Sequence, residues 1–153
     1  MTTNWQPAMK EAISEVLETM FFVLIGFSHH APDGPAFDAE SRIHLYNDDE
    51  RIEIIFRVTS AFARMITANF LAKGEEEVAE DEMEDLMREL ANMAGGNYKR
   101  RIESERWELG IPSYRKIGGG EGSLQSGLPL SYLGEAVGMI LLERSVMQAD
   151  GLS

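Results

Sequence analysis

Three polar residues and a glycine share one face of a segment whose opposite face is suited to burial. Asp85, Glu89, Asn92 and Gly96 recur at three- and four-residue steps, which on a helix lines them up as a stripe. Met83, Leu86, Met87, Leu90, Met93 and Ala94 form a second, apolar stripe roughly 130° away around the same helix. The apolar stripe must meet a core, which leaves the polar one for solvent or a partner. Asn is a poor helix former and makes no charge pair one turn away, so local stability gives no reason for Asn92. A neutral carboxamide can accept a hydrogen bond from a water without adding negative charge. Glycine at position 96 leaves room for another backbone to approach. The plain alternative is a solvated face carrying an incidental Asn.

Other groupings carry less. His29-His30 with Asp33 and Asp38 has ligand-type residues, but adjacent loop histidines point in different directions and His44 lies on a strand without matched spacing, so no metal site is expected. Gly118-Gly119-Gly120-Glu121-Gly122 lacks the Lys-Ser/Thr and the helix entry of a phosphate loop and reads as a flexible connection between strands. The chain has no cysteine, which removes disulfides, thiolate-bound zinc and thiol nucleophiles together. No serine stands in a nucleophile elbow, and no histidine has a recognisable triad context.

The elements that would position the polar stripe follow from periodicity. A first helix is predicted from about Trp5 to Ile25, with Met9, Ile13, Val16, Leu17, Met20 and Leu24 on one face, Pro7 in its first turn and Gly26 as a stop. Ser28 to Phe37 reads as loop. Ser41 to Tyr46 and Arg51 to Val58 alternate apolar and polar residues around Asn47-Asp48-Asp49-Glu50, the pattern of an antiparallel hairpin. A second helix is predicted from about Ser60 to Ala72, ended by Lys73-Gly74. The third, which carries the stripe, runs from about Glu80 to Ala94 and is closed by Gly95-Gly96. Leu128 to Leu133 and Val137 to Val146 form a last hairpin around Gly134-Glu135. Helices and antiparallel strands segregate along the chain, which predicts an α+β fold with helices on one face of a sheet.

The 153 residues suffice for one domain with a core, taken as residues 1–153, and are too few for two. Acidic residues outnumber basic ones 26 to 14, for a net charge of -12. That charge repels nucleic acid and anionic membranes, and Lys99-Arg100-Arg101 is the longest basic run against it. The longest apolar run, Met20 to Ile25, is far short of the roughly 17–25 residues of a spanning helix. No basic stretch opens the chain as a signal peptide would require. A cytoplasmic location is expected.

Asp85-x3-Glu89-x2-Asn92, within Leu86-Met87-Arg88-Glu89-Leu90-Ala91-Asn92-Met93-Ala94-Gly95-Gly96-Asn97, resembles the signature helix of the CheC/CheX chemotaxis phosphatases. The opening Glu11-Ala12-Ile13-Ser14-Glu15-Val16-Leu17-Glu18-Thr19-Met20 also resembles the first helix of CheX-type domains. The resemblance implies a CheC-like, internally pseudo-duplicated fold and a homodimer joined through sheet edges. Ser14-x3-Glu18-x2-Phe21 repeats the spacing of the motif, but Phe21 stands where a second Asn would be and cannot orient a water. Pro112 follows Asn92 by 20 positions, slightly short of the family's spacing. The second helix also begins without the small-residue entry associated with the family.

The implied substrate is a phosphorylated CheY-like receiver domain carrying an acyl phosphate on aspartate. The implied roles are Asn92 positioning the attacking water, Glu89 pairing with the receiver's lysine, and Asp85 and Gly96 at the edge of the contact. The receiver supplies Mg²⁺, and no cofactor is required from this chain. A non-catalytic receiver-binding adaptor and a self-associating structural domain are the competing readings.

Overall fold

The computed structural model describes residues 4–27, 37–102, 106–118 and 127–147. Among them, three α-helices cover one face of an antiparallel sheet of six strands. Helix α1 spans Gln6–Phe21, α2 spans Ser60–Leu71 and α3 spans Glu80–Ile102, with a short 3-10 turn at Glu75–Glu77 before α3. The strands are β1 (Ala39–Tyr46), β2 (Glu50–Val58), β3 (Glu108–Leu109), β4 (Ser113–Lys116), β5 (Leu128–Tyr132) and β6 (Glu135–Val146). Their order across the sheet is β3-β1-β2-β6-β5, with β4 beside β3 on the same edge of β1.

The central hairpin forms where alternation places it. Leu45 pairs with Ile52 and Ile43 with Ile54, so the branched side chains of both strands share the face that meets the helices. Asn47 closes the turn: its Oδ1 accepts from the amides of Asp49 and Glu50, each at 2.8 Å. In the last hairpin the turn falls on Leu133-Gly134, with φ of +52° and +83°, the doubly left-handed form that matches strand twist.

Helix α1 ends four residues earlier than its apolar pattern suggests. Phe22 adopts a left-handed conformation with φ of +59°, and the amide of Val23 donates back to the Leu17 carbonyl at 3.0 Å. Asn69 of α2 donates its side-chain amide to the Phe21 carbonyl at 3.0 Å, satisfying a group the helix leaves open. The chain then pairs Gly26 with Ser131. Leu24, expected on the buried face, falls beyond the helix and is exposed; Met20, in its last turn, is exposed as well, while Met9, Ile13, Val16 and Leu17 are core as expected.

The larger correction concerns α3. It does not stop at Gly95-Gly96 but continues to Ile102. A Cβ at Gly95 would lie 2.9 Å from Ile43 Cγ2, so glycine there lets the helix rest directly on β1. Beyond the glycines, Arg101 donates to Glu11 at 2.7 Å, to Glu15 at 2.6 Å and to Asn97 at 2.7 Å, tying the final turns to α1. Tyr98 is buried in the same stretch. These tertiary contacts offset the helix-weakening effect of two adjacent glycines.

Residues 28–36 of the loop predicted over Ser28 to Phe37, and the glycine run from Gly119, lie outside the described residues. Among the described residues, no helix is long and apolar enough to cross a membrane.

Candidate functional site on the third helix

The burial of α3 follows its sequence pattern closely. Met83, Leu86, Met87, Leu90 and Ala94 of the expected apolar stripe are buried in the core together with Ala91, while Met93 is only half-buried against it, which fixes the helix's rotation about its own axis. Asp85 and Glu89 are exposed, and Asn92 and Gly96 are half-buried. The four positions chosen from sequence thus lie together on the outward face of one rigid element.

Their partners distinguish them. Asp85 pairs with Arg88 one turn further along α3. Among the described residues, neither Glu89 nor Asn92 makes a hydrogen bond or an ion pair. A carboxylate and a carboxamide one turn apart are therefore both available to a second molecule, on a helix whose other face is immobilised. Gly96 is not forced by packing: a Cβ there would meet Leu109 Cδ2 only at 3.9 Å, an ordinary contact. Pro112 lies just before β4, between the two short edge strands.

The matching positions of α1 differ. Glu18 is exposed, but Phe21 is fully buried, its ring 5.2 Å from that of Phe70. What is an outward carboxamide on α3 is core on α1.

The site is an outward helical face, exposed at Asp85 and Glu89 and half-buried at Asn92 and Gly96. A cleft of about 500 Å³ between the start of α2 and the β5–β6 turn, lined by Phe62, Met65, Tyr132 and Leu133, shares no residue with α3. His29 and His30 lie outside the described residues. His44 packs beside Tyr46, and burial, with Arg51 nearby, pushes its pKa down. Among the described residues, no three His, Asp or Glu side chains are grouped to hold a metal ion.

Two features had no counterpart in the sequence reading. Because α3 continues, Lys99 and Arg100 fall on the same stripe as Glu89 and Asn92; the glycine pair masked this. On β1, Glu40 is buried and accepts from Arg57 at 2.9 Å, Arg42 at 2.8 Å and Arg115 at 2.9 Å. Burial pushes its pKa up, but hydrogen bonds from Arg115, Arg42 and Arg57 outweigh it and hold the carboxyl below the usual range. The cross-strand register, Glu40 opposite Arg57 and Arg115, was the one available signal for this cluster.

The family model described as "Chemotaxis phosphatase CheX" matches residues 42–130, a span that contains the whole stripe. The chain belongs to the CheX family. Solved structures with the same fold include the chemotaxis protein CheX from Vibrio vulnificus, at 20% identity and a TM-score of 0.73, covering 92% of this chain and 97% of that one. The CheX of Desulfovibrio desulfuricans matches at 14% identity and a TM-score of 0.70, over 94% of this chain and 99% of that one. A CheX-CheY-BeF3-Mg²⁺ complex from Borrelia burgdorferi matches at 13% identity and a TM-score of 0.63, covering 96% and 100%. No curated protein matches at the level of sequence.

Proposed function

We propose that this chain accelerates hydrolysis of the aspartyl phosphate of a CheY-like receiver domain. The observation that carries the reading is that Glu89 and Asn92, each without a partner among the described residues, stand one turn apart on the outward face of a helix locked into the core. Family membership supports the reaction class, and the CheX-CheY complex of the Borrelia relative supports the kind of partner.

In the reaction a water oxygen attacks phosphorus, the bond from phosphorus to the aspartyl oxygen breaks, and the electron pair leaves with the carboxylate. Such transfers depend on in-line positioning and on charge stabilisation more than on covalent chemistry. Asn92 accepts a hydrogen bond from the attacking water and adds no negative charge beside the phosphoryl oxygens. Glu89 pairs with the receiver's lysine and holds the helix in register; it is a docking and positioning residue. Asp85, already bonded to Arg88, and Gly96 form the edge of the contact. Mg²⁺ belongs to the receiver, and this chain contributes no cofactor.

A hundredfold contribution from Asn92 corresponds to about 2.7 kcal/mol of barrier, within reach of one well-placed water. The test is phosphate release from a panel of phosphorylated receivers, with wild type beside Asn92→Ala. Acceleration by wild type that the variant loses supports the proposal. No acceleration of any receiver, with binding still present, replaces it with the adaptor reading.

Three further expectations belong to this proposal. The chain works in the cytoplasm, where receivers act. It forms a homodimer through sheet edges, which sedimentation velocity would detect as a species of twice the monomer mass. Helix α1, with Ser14, Glu18 and Phe21 at the motif spacing, is a degenerate second copy of α3.

A further inference from the structure

We infer that Lys99 and Arg100 form a cationic end of the docking stripe, which draws the anionic phosphorylated face of the receiver onto α3. The inference rests on the receiver reading above and deepens it. Because the helix runs on to Ile102, azimuth can be followed past the glycines. At about 100° per residue, Lys99 lies roughly 20° from Asn92, and Arg100 roughly 20° from Glu89. Lys99 is about 10 Å beyond Asn92 along the axis at the usual rise. Burial agrees with this placement, since Arg100 is exposed and Lys99 half-buried.

The neighbouring arginine provides the contrast. Arg101 faces α1 and is bonded to Glu11, Glu15 and Asn97. Lys99 and Arg100 make no hydrogen bond or ion pair with any described residue, although the charge of Arg100 still acts at longer range on Glu15 of α1. Basic residues in a last turn suit the negative end of the helix dipole, but the dipole does not select azimuth. Arg101 would meet that need alone.

The arrangement answers an electrostatic problem. The chain carries a net charge of -12, and an aspartyl phosphate is itself anionic, so long-range forces oppose the encounter. Along the outward face of α3 the charge changes sign: Asp81, Asp85 (bonded to Arg88) and Glu89 come first, neutral Asn92 and Gly96 follow, and Lys99 and Arg100 come last. A partner presenting a cation and an anionic phosphoryl group can match that order in one direction only. The lysine goes over Glu89, and the anionic side lies toward Lys99 and Arg100. Charges at such a rim act chiefly on association and its salt dependence.

The test compares wild type, Lys99→Gln/Arg100→Gln and Lys99→Glu/Arg100→Glu, each checked for folding by circular dichroism. It measures turnover of a phosphorylated receiver and affinity for the same receiver loaded with beryllofluoride. For the charge reversal, the expected result is a rise of about tenfold in KM and Kd at low salt, narrowing as salt screens the charges, with kcat within about twofold. The neutral variant should fall between. Wild-type turnover or binding with equal KM and Kd for all three proteins overturns this inference and leaves the phosphatase reading intact. A wild type that neither binds nor turns over any receiver overturns both.

Discussion

Glu89 and Asn92 differ from Asp85, Glu82 and Asn97 of the same helix in what they lack. Asp85 has Arg88, Glu82 has Lys73, and Asn97 has Arg101, whereas the two central residues of the stripe have no partner among the described residues. A side chain that stabilises nothing at home can be replaced without harm to the fold. Glu89→Gln should leave stability within about 0.5 kcal/mol in a urea titration. The same variant should weaken receiver binding about tenfold, the scale of one charge-assisted hydrogen bond, as titration calorimetry would measure. A large loss of stability would mean that Glu89 serves the fold. The stripe was legible in the sequence because helical spacing alone defines it: residues three and four apart must share a face wherever the helix packs. That Asp85 is engaged and Glu89 is not depends on side-chain conformation, which spacing does not reveal.

At the scale of elements, the two glycines of α3 have opposite functions. Gly95 lies against Ile43 and Leu109, at 2.9 and 3.3 Å from where a Cβ would be, and the nearest contact is a methyl of a stiff β-branched side chain. Gly95→Ala should therefore destabilise the protein in spite of alanine's better helix propensity. Gly96→Ala has room for its methyl, 3.9 Å from Leu109 Cδ2, and should stabilise by up to about 1 kcal/mol. Thermal unfolding of the two variants should move the midpoint in opposite directions; a shift of the same sign in both would contradict the packing described here. This asymmetry also explains why the helix end was misplaced from sequence. Adjacent glycines are a local stop signal, and what overrides it comes from β1 and α1, distant in the chain. The end of α1 was hidden for the converse reason. The apolar run through Ile25 continues the helical pattern, while the left-handed Phe22 and the Asn69 cap from α2 end the helix.

For the whole molecule, the buried carboxylate of Glu40 joins three strands, through Arg42 on its own strand, Arg57 on β2 and Arg115 on β4. Glu40→Gln would leave the buried Arg57 guanidinium and the more exposed Arg42 and Arg115 facing a neutral amide and should cost about 2 kcal/mol, read from chemical denaturation at neutral pH. The pH dependence has a definite sign. Because the folded pKa of Glu40 is depressed, its contribution is complete above the ordinary glutamate value of 4.5. It is lost as pH falls through the depressed folded value. The stability gap between wild type and Glu40→Gln should therefore close on acidification below that range; a constant gap would mean that the charge of Glu40 is not what stabilises the sheet. Nothing in local sequence marks this residue, since its partners are brought together by strand register across 75 positions.

The measurement that bears most directly on the central claim separates catalysis from docking in a single variant. Phosphate release and receiver affinity would be determined together for wild type and Asn92→Ala. If Asn92 positions the attacking water, turnover should fall about a hundredfold while affinity stays within about threefold, since a half-buried carboxamide contributes little to association. Unchanged turnover, or a loss explained wholly by weaker binding, would contradict the account and leave α3 as a docking surface alone.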